Sequence, residues 1–265
     1  MLTKEQLARG LQDLRAGFAD WRLWGYLGWH DIRQRYRRSK LGPFWVTASM
    51  GIHVAAIGLV WSSLFGLSAR DFLPYLCAGT VVWNLILGNV TEGCGTFVVA
   101  SNYISQINRP VSVYAFWVIW RNLLVFVHTL AVYVAVALIF RLWPNLNTLQ
   151  VFIGFPVLLL AVSWPPLLLG LITARFRDIQ QLVQSLMTMV FFVTPIIWRL
   201  DQLRDRAYLA TLNPLTHLIE IVRAPLLGHP IPGLSLAASV ATLLIGWFVT
   251  LGLFSRYRGR IAYWL

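Results

Sequence analysis

Charge is what this sequence holds least of. Acidic and basic residues together make up 12% of its 265 residues, where a soluble domain carries about a quarter, and the mean hydropathy is +0.65. So little ionisable surface excludes a chain solvated mainly by water and makes lipid the main solvent. Acids are the scarcer kind, ten against 22 Lys and Arg, which leaves a net charge of +12. A nucleic-acid binder needs its basic residues on a water-facing surface, and this chain has little of one. The excess is therefore assigned to membrane topology, with no nucleic-acid partner expected.

Further absences narrow the function. The two cysteines, Cys77 and Cys94, lie in or beside apolar runs and are too few for a disulfide framework or a CxxC metal site, so they are structural. The two lysines, Lys4 and Lys40, do not follow a glycine, which excludes a Walker A loop; ATP-driven work would fall to another polypeptide. Every Asp and Glu lies at or outside the end of an apolar run, and the closest pair is Asp201 and Asp205. No carboxylate cluster can hold metal-bound phosphates, so neither a metal site nor catalysis is expected. His53 and His128 fall inside apolar runs but each stands alone, as a hydrogen-bonded polar residue of a bundle does. There is no Ser/Gly-rich linker, low-complexity stretch or internal repeat, which predicts one membrane domain. With the first long apolar run starting only at Phe44, no cleavable signal is expected.

Six apolar runs approach the ~20 helical residues that cross a hydrocarbon core: 44 to 67, 72 to 91, 113 to 140, 151 to 174, 181 to 199 and 234 to 254. Six crossings put both termini on one side. With that side cytoplasmic, 15 Lys and Arg lie inside and 6 outside, with Arg121 inside the third run, as the positive-inside rule requires. The expectation is a multi-pass protein of the cytoplasmic (inner) membrane with both termini cytoplasmic. Its divisions are a cytoplasmic N-terminal segment (1–43), a six-helix domain (44–258) and a short tail (259–265).

The connections carry their own signals. Residues 92–110 are moderately apolar and end at Pro110, which predicts a short cytoplasmic helix with a stop. Only 174–180 separate the fourth and fifth runs, with Arg175, Arg177 and Asp178 grouped there. Residues 215–227 are too polar to span and too apolar for a solvated loop, so an external re-entrant hairpin is expected within 200–233. Read as a helix, the segment before Phe44 puts Trp21, Trp24, Trp29, Ile32 and Tyr36 on one stripe, with Arg22, His30, Arg33 and Arg37 opposite. Such a helix suits the headgroup layer, with topogenic charge and anionic-lipid contact as its plainest role. Pro156, Pro165, Pro166 and Pro195 predict kinks. Arg121 would snorkel or face the bundle, with Glu92 as a candidate partner.

The stretches RYRRSKLGPFW entering span one, RFRDI (175–179), FFVTPIIW (191–198), NPLTHLIEIVRAPLLG (213–228) and the tail YRGRIAYWL resemble the ABC-2 type permeases. The similarity is greatest to the polysaccharide exporters that include O-antigen and teichoic acid permeases. The resemblance implies an all-α fold of six transmembrane helices, with an N-terminal amphipathic interface helix over about 20–38 and the external hairpin between spans five and six. It also implies a dimer with a second copy of the chain and two copies of a separate ABC ATPase subunit, which carries the ATP and magnesium; no cofactor is expected in this chain. Coupling to that subunit maps onto about 92–108, with Ser101 and Arg109, and onto Arg175, Arg177 and Asp178.

The implied substrate is a glycan on polyprenyl pyrophosphate. Arg33, Arg35, Arg37 and Arg38 are the candidates to hold its phosphates, because a guanidinium binds phosphate oxygens bidentately. Spans one and five lie near the dimer seam in the family, so Trp45, Trp61, Phe65, Phe191, Phe192 and Trp198 are candidate channel liners, since sugar C–H faces pack on rings. The ordinary alternative for the tryptophans is an interfacial belt, and for the phenylalanines core or lipid packing. An ABC-2 permease for a small amphiphile or drug is the second reading. A polytopic glycan-synthesis enzyme or scaffold is a third, weakened by the missing carboxylates.

Overall fold

The computed structural model describes residues 3–35, 37, 44–200, 202 and 208–265, the side chains of Phe65 and Leu209 excepted. Arg38, the Phe65 side chain, Gly42-Pro43 and the Asp201/Asp205 pair therefore lie outside the described residues. Every regular element among those described is helical. In chain order they are α1 (Lys4–Ala19), α2 (Trp21–Arg35), α3 (Phe44–Phe65), α4 (Ala69–Cys94), α5 (Thr96–Val99), α6 (Ser101–Gln106), α7 (Ser112–Ile139), α8 (Val151–Ala161), α9 (Pro165–Arg175), α10 (Ile179–Val193), α11 (Tyr208–Thr211), α12 (Pro214–Leu226), α13 (Gly233–Tyr257) and α14 (Ile261–Trp264).

Among the described residues, five helical stretches are long and apolar enough to cross a membrane: Phe44–Leu64, Ala69–Cys94, Ser112–Ile139, Leu146–Arg175 and Gly233–Trp264. The run at 181–199 does not form one long helix. α10 has 15 residues, about 22 Å at 1.5 Å per residue. It stops because Thr194 precedes Pro195 and is steered out of the α region, to φ −86° and ψ 133°. Prolines punctuate the fourth run as well. Pro165 and Pro166 fit the first turn of α9, where no N–H is needed, so the helix breaks over 162–164 and restarts. Pro156, by contrast, stays inside α8.

α4 is the axis of the bundle. It packs against α3, α7, α9, α10 and α12, with Phe72, Leu76, Cys77, Val81, Leu85 and Ile86 buried along it. With lipid outside, such helix contacts are held by close packing rather than by escape from water. α12 is helical, as its pattern predicts, and lies deep against α4, α8 and α13. Asn213 caps it by accepting from the Leu215 N–H at 3.0 Å.

Two helices precede the first span. α1 starts with a reciprocal cap between Thr3 and Gln6 and lies on α7 and α13. Its glycines permit the approach, since a Cβ on Gly10 would stand 2.0 Å from Ser255 Oγ and one on Gly17 2.1 Å from Ser112 Oγ. Between them Asp13, 7% exposed, accepts from the Ser112 N–H at 3.1 Å and from Arg258 at 2.7 Å. A carboxylate thus caps the start of α7 from another helix.

α2 packs on α7 with part of the aromatic stripe, Trp24 and Ile32, turned toward the bundle, Tyr36 lying outside the described residues. Leu27, Gly28 and Ile32 are buried, whereas Trp21 and Trp29 are exposed. Gly28 decides the face, because only a residue without a side chain fits against the Trp120 ring, 2.7 Å from where a Cβ would stand. Trp24 adds an edge-on contact to Trp120 with centroids 5.7 Å apart.

A second core of Leu27, Phe97, Tyr114, Trp117, Leu171 and Phe254 joins α2, α5, α7, α9 and α13 at one end of the bundle. Both described ends of the chain lie there. At the opposite end Asn145 and Asn147 donate to the Gly228 carbonyl at 2.8 and 3.0 Å.

Candidate functional site

The arginines assigned to phosphate do not form one group. Arg33 and Arg37, four residues apart, share an open cavity of about 390 Å³ with Tyr26, His30 and Gln34. His30 is fixed within it by stacking on Tyr26, centroids 5.7 Å apart, and by Gln34 at 3.4 Å. Arg35 points the other way, 3.6 Å from Glu92 at the end of α4. What remains is two outward guanidiniums beside a histidine, a constellation that suits an anionic oxygen cluster. The third arginine has a carboxylate already.

That carboxylate belongs to a network. Arg121, the one charge inside the third run, donates to Asp31 of α2 at 2.8 Å and to Glu92 of α4 at 2.9 Å. The predicted Glu92 pairing is present, and Asp31 is a second partner the spacing did not reveal. Arg121 is 14% exposed in its side chain; two hydrogen-bonded carboxylates make so buried a charge tolerable at membrane depth. The network also ties α2 to the bundle.

The expected ATPase-facing residues lie at the end that holds the termini. The predicted helix over 92–110 is two short ones, α5 and α6, followed by extended Ile107 and by Arg109, which pairs with Asp20 at 3.4 Å. Ser101 is half-buried at the start of α6; Arg109, Arg175, Arg177 and Asp178 are exposed. The Arg175 guanidinium sits 5.6 Å from the Trp264 ring centroid of α14, and α14 packs on both α6 and α9.

The aromatic candidates divide. Phe191 packs against Trp83 of α4, centroids 5.5 Å apart, while Phe192 is exposed. Trp198 folds back to donate to the Phe192 carbonyl at 3.0 Å. Trp45 and Trp61 sit 16 positions apart on α3, roughly 24 Å along its axis, Trp45 exposed and Trp61 partly buried. Among the described side chains of the set, Trp61, Phe191 and Trp198 pack against the main core, whereas Trp45 and Phe192 are exposed. Of the two lone histidines, His128 bonds the Leu124 carbonyl at 2.7 Å, and His53 is exposed on α3.

Sequence reasoning missed the most buried charge. Arg223 of α12 is 1% exposed, though its position suggests an external loop. Its guanidinium grips the Glu220 carboxylate, donates to the Pro195 carbonyl and lies 4.0 Å from the Tyr75 ring centroid. The Tyr75 hydroxyl also donates to Pro195 at 3.1 Å and to the Trp198 carbonyl at 3.3 Å. The break after α10 frees backbone oxygens inside the protein, and Arg223 and Tyr75 satisfy them. The only hint in the sequence is the three-residue spacing of Glu220 and Arg223 within an apolar helix.

Comparison with known proteins places this arrangement. Residues 22–227 match the family described as ABC-2 type transporter. The O-antigen export system permease protein RfbA of Myxococcus xanthus is 25% identical over 228 residues, covering 81% of this chain and 85% of the relative. A Klebsiella pneumoniae protein of the same name is 22% identical over 194 residues, covering 71% of this chain and 74% of the relative. With the greater part of its length matched and several apolar helices of spanning length, the chain is a multi-pass membrane protein that belongs to the ABC-2 type transporter family.

Proposed function

We propose that this chain is the permease subunit of an ABC exporter that moves a polyprenyl-pyrophosphate-linked polysaccharide of the O-antigen kind across the cytoplasmic membrane. One observation carries the reading. α2 is fastened to the bundle through Trp24, Leu27 and the Asp31–Arg121 pair, and it leaves Arg33 and Arg37 facing outward beside His30. A phosphate-bearing lipid in the adjoining leaflet would meet that pair first, and the arginine fork matches its oxygens. The relatives, which are named as O-antigen export permeases, support the choice of a glycan.

In this reading the termini are cytoplasmic, 1–43 forms the leading segment, 44–258 the transport domain and 259–265 the tail. α10 with the turn through Trp198 makes a sixth crossing, and α11 and α12 re-enter from the outer face. Two copies of the chain pair with two copies of an ABC ATPase, which binds ATP and magnesium. Ser101, Arg109, Arg175, Arg177 and Asp178 face that subunit, and Trp45 and Phe192 line the path between protomers. Permease function makes the chain itself non-catalytic.

The test is export in cells together with co-purification. An ABC ATPase should come down with the chain, and its ATP hydrolysis should rise with lipid-linked glycan. Arg33→Ala/Arg37→Ala should lower export at least tenfold at unchanged membrane level. Full export by that double variant would refute the phosphate role and leave α2 a topogenic helix.

A further inference from the structure

Between α3, α4 and α7 runs an open groove of about 540 Å³, a volume in the ~300–1,000 Å³ range of ligand sites. Its wall is mixed, with Val46, Met50, Leu87 and Val125 between several polar side chains, although all three helices are of spanning length. Ser49 and His53 of α3, Asn84 of α4, and Asn122 and Thr129 of α7 line it. Polar groups at this depth are expensive and gather where they bind something.

Asn122 marks the centre of interest. It is 6% exposed, and its Nδ2 has no hydrogen-bond partner. It cannot retreat toward α4, because Gly88 presses against it: a Cβ there would stand 2.8 Å from Asn122 Oδ1. The mouth at the termini end is formed by Trp45, Arg35 and Glu92. Arg35 and Glu92 face each other at 3.6 Å, so the described part of the mouth offers a ring and a cation already paired with a carboxylate.

Neutral donors and acceptors along a wall with an indole at the opening match one ligand chemistry. Hydroxyls both give and take hydrogen bonds with amides and alcohols, and the C–H face of a sugar packs on an aromatic face. Among the described lining residues the cation is Arg35, which already faces Glu92, so a bare phosphate would have to compete for it, and an alkyl chain would leave the amides and hydroxyls of the wall unmet. We propose that this groove binds the hydroxyl-rich glycosyl headgroup of a lipid, separately from the outward Arg33–Arg37 face. Where the headgroup belongs to the exported substrate, the proposal rests on the transport reading and gives the sugars next to the lipid anchor a place on the permease.

The test uses the purified chain in phosphatidylcholine nanodiscs and an alkyl glucoside carrying a diazirine near its sugar. Photolabel should fall on peptides covering 45–53 and 122–129 and be suppressed by excess octyl glucoside. Asn122→Leu and Ser49→Trp should each cut that labelling at least fivefold, while Phe248→Ala, on the exposed face of α13, leaves it unchanged. Ser49 is exposed, so its variant keeps the test open if Asn122→Leu fails to fold. Label spread evenly over the lipid faces of α3 and α13, or insensitive to both groove variants, overturns the proposal.

Competition separates the sources. Displacement by polyprenyl-pyrophosphate-linked glycan assigns the headgroup to the substrate, and displacement by vesicles containing glucosyl diacylglycerol assigns it to the bilayer; either supports the groove. Labelling without groove preference alongside intact export rejects the groove alone. Groove labelling in a chain that exports nothing rejects the transport reading alone.

Discussion

Replacing Arg223 with methionine removes a guanidinium that is 1% exposed and leaves Glu220, 23% exposed in its side chain, without its cation. Breaking a buried ion pair costs about 3–5 kcal/mol. Water reaches Glu220, and the Pro195 carbonyl keeps the Tyr75 hydroxyl, so the lower end applies, about 3 kcal/mol, or roughly a hundredfold in the folding equilibrium. At about 2–4 °C per kcal/mol for chains approaching this size, the melting temperature should fall by roughly 6–12 °C. The assay is thermal unfolding of the detergent-solubilised protein.

A second variant isolates the cause of that loss. Glu220→Gln/Arg223→Met no longer holds a lone, partly buried carboxylate, and it should recover a good part of the deficit, as paired replacements of buried ions do. A shift below 2 °C for Arg223→Met, or a double variant no better than the single, would refute the clamp.

Arg121→Met should strand Asp31 and leave Glu92 with Arg35 alone, destabilising by about 3 kcal/mol. Because Asp31 is the link to α2, protease cleavage before Phe44 should accelerate in that variant, whereas Arg35→Met should leave it near the parent rate. Gly17→Leu should force α1 away from Ser112 at the first turn of α7, leaving the contacts among the spanning helices in place. Limited proteolysis would then release the first 20 residues while the melting temperature of the remainder changes by less than 3 °C.

Apolar length and proline stops made most of the bundle legible before any coordinates. α4 and α7 are long apolar runs, and the interruptions at Pro165 and Pro195 fall at prolines, whereas Pro156 and Pro74 are held within α8 and α4. The turn at Arg175, Arg177 and Asp178 was visible as a compact charge group between two long runs. Facial choice was harder to read. Trp21 and Trp29 outweigh Leu27 and Gly28 in any count of apolar bulk, yet Gly28 is what admits Trp120, and close approach decided which side of α2 is buried. Arg223 was hidden for a related reason. Beyond Glu220 on its own helix, its partner is the Pro195 carbonyl, 28 residues earlier, which nothing local to the helix announces. The division of Arg33 and Arg37 from Arg35 likewise depends on where Glu92 lies in space, which spacing within the segment does not encode.

The docking of α1 has a consequence for when the protein is finished. Asp13 finds Arg258 across 245 positions of sequence, so at the ~5–20 residues per second of synthesis the first helix waits roughly 12–49 s for its partner to be made. Through that interval its inner face, with the bare backbone of Gly10 and Gly17, has no Ser255 or Arg258 to close on. Full seating of α1 thus waits for α13, although α7, made earlier, already offers Ser112 to Asp13.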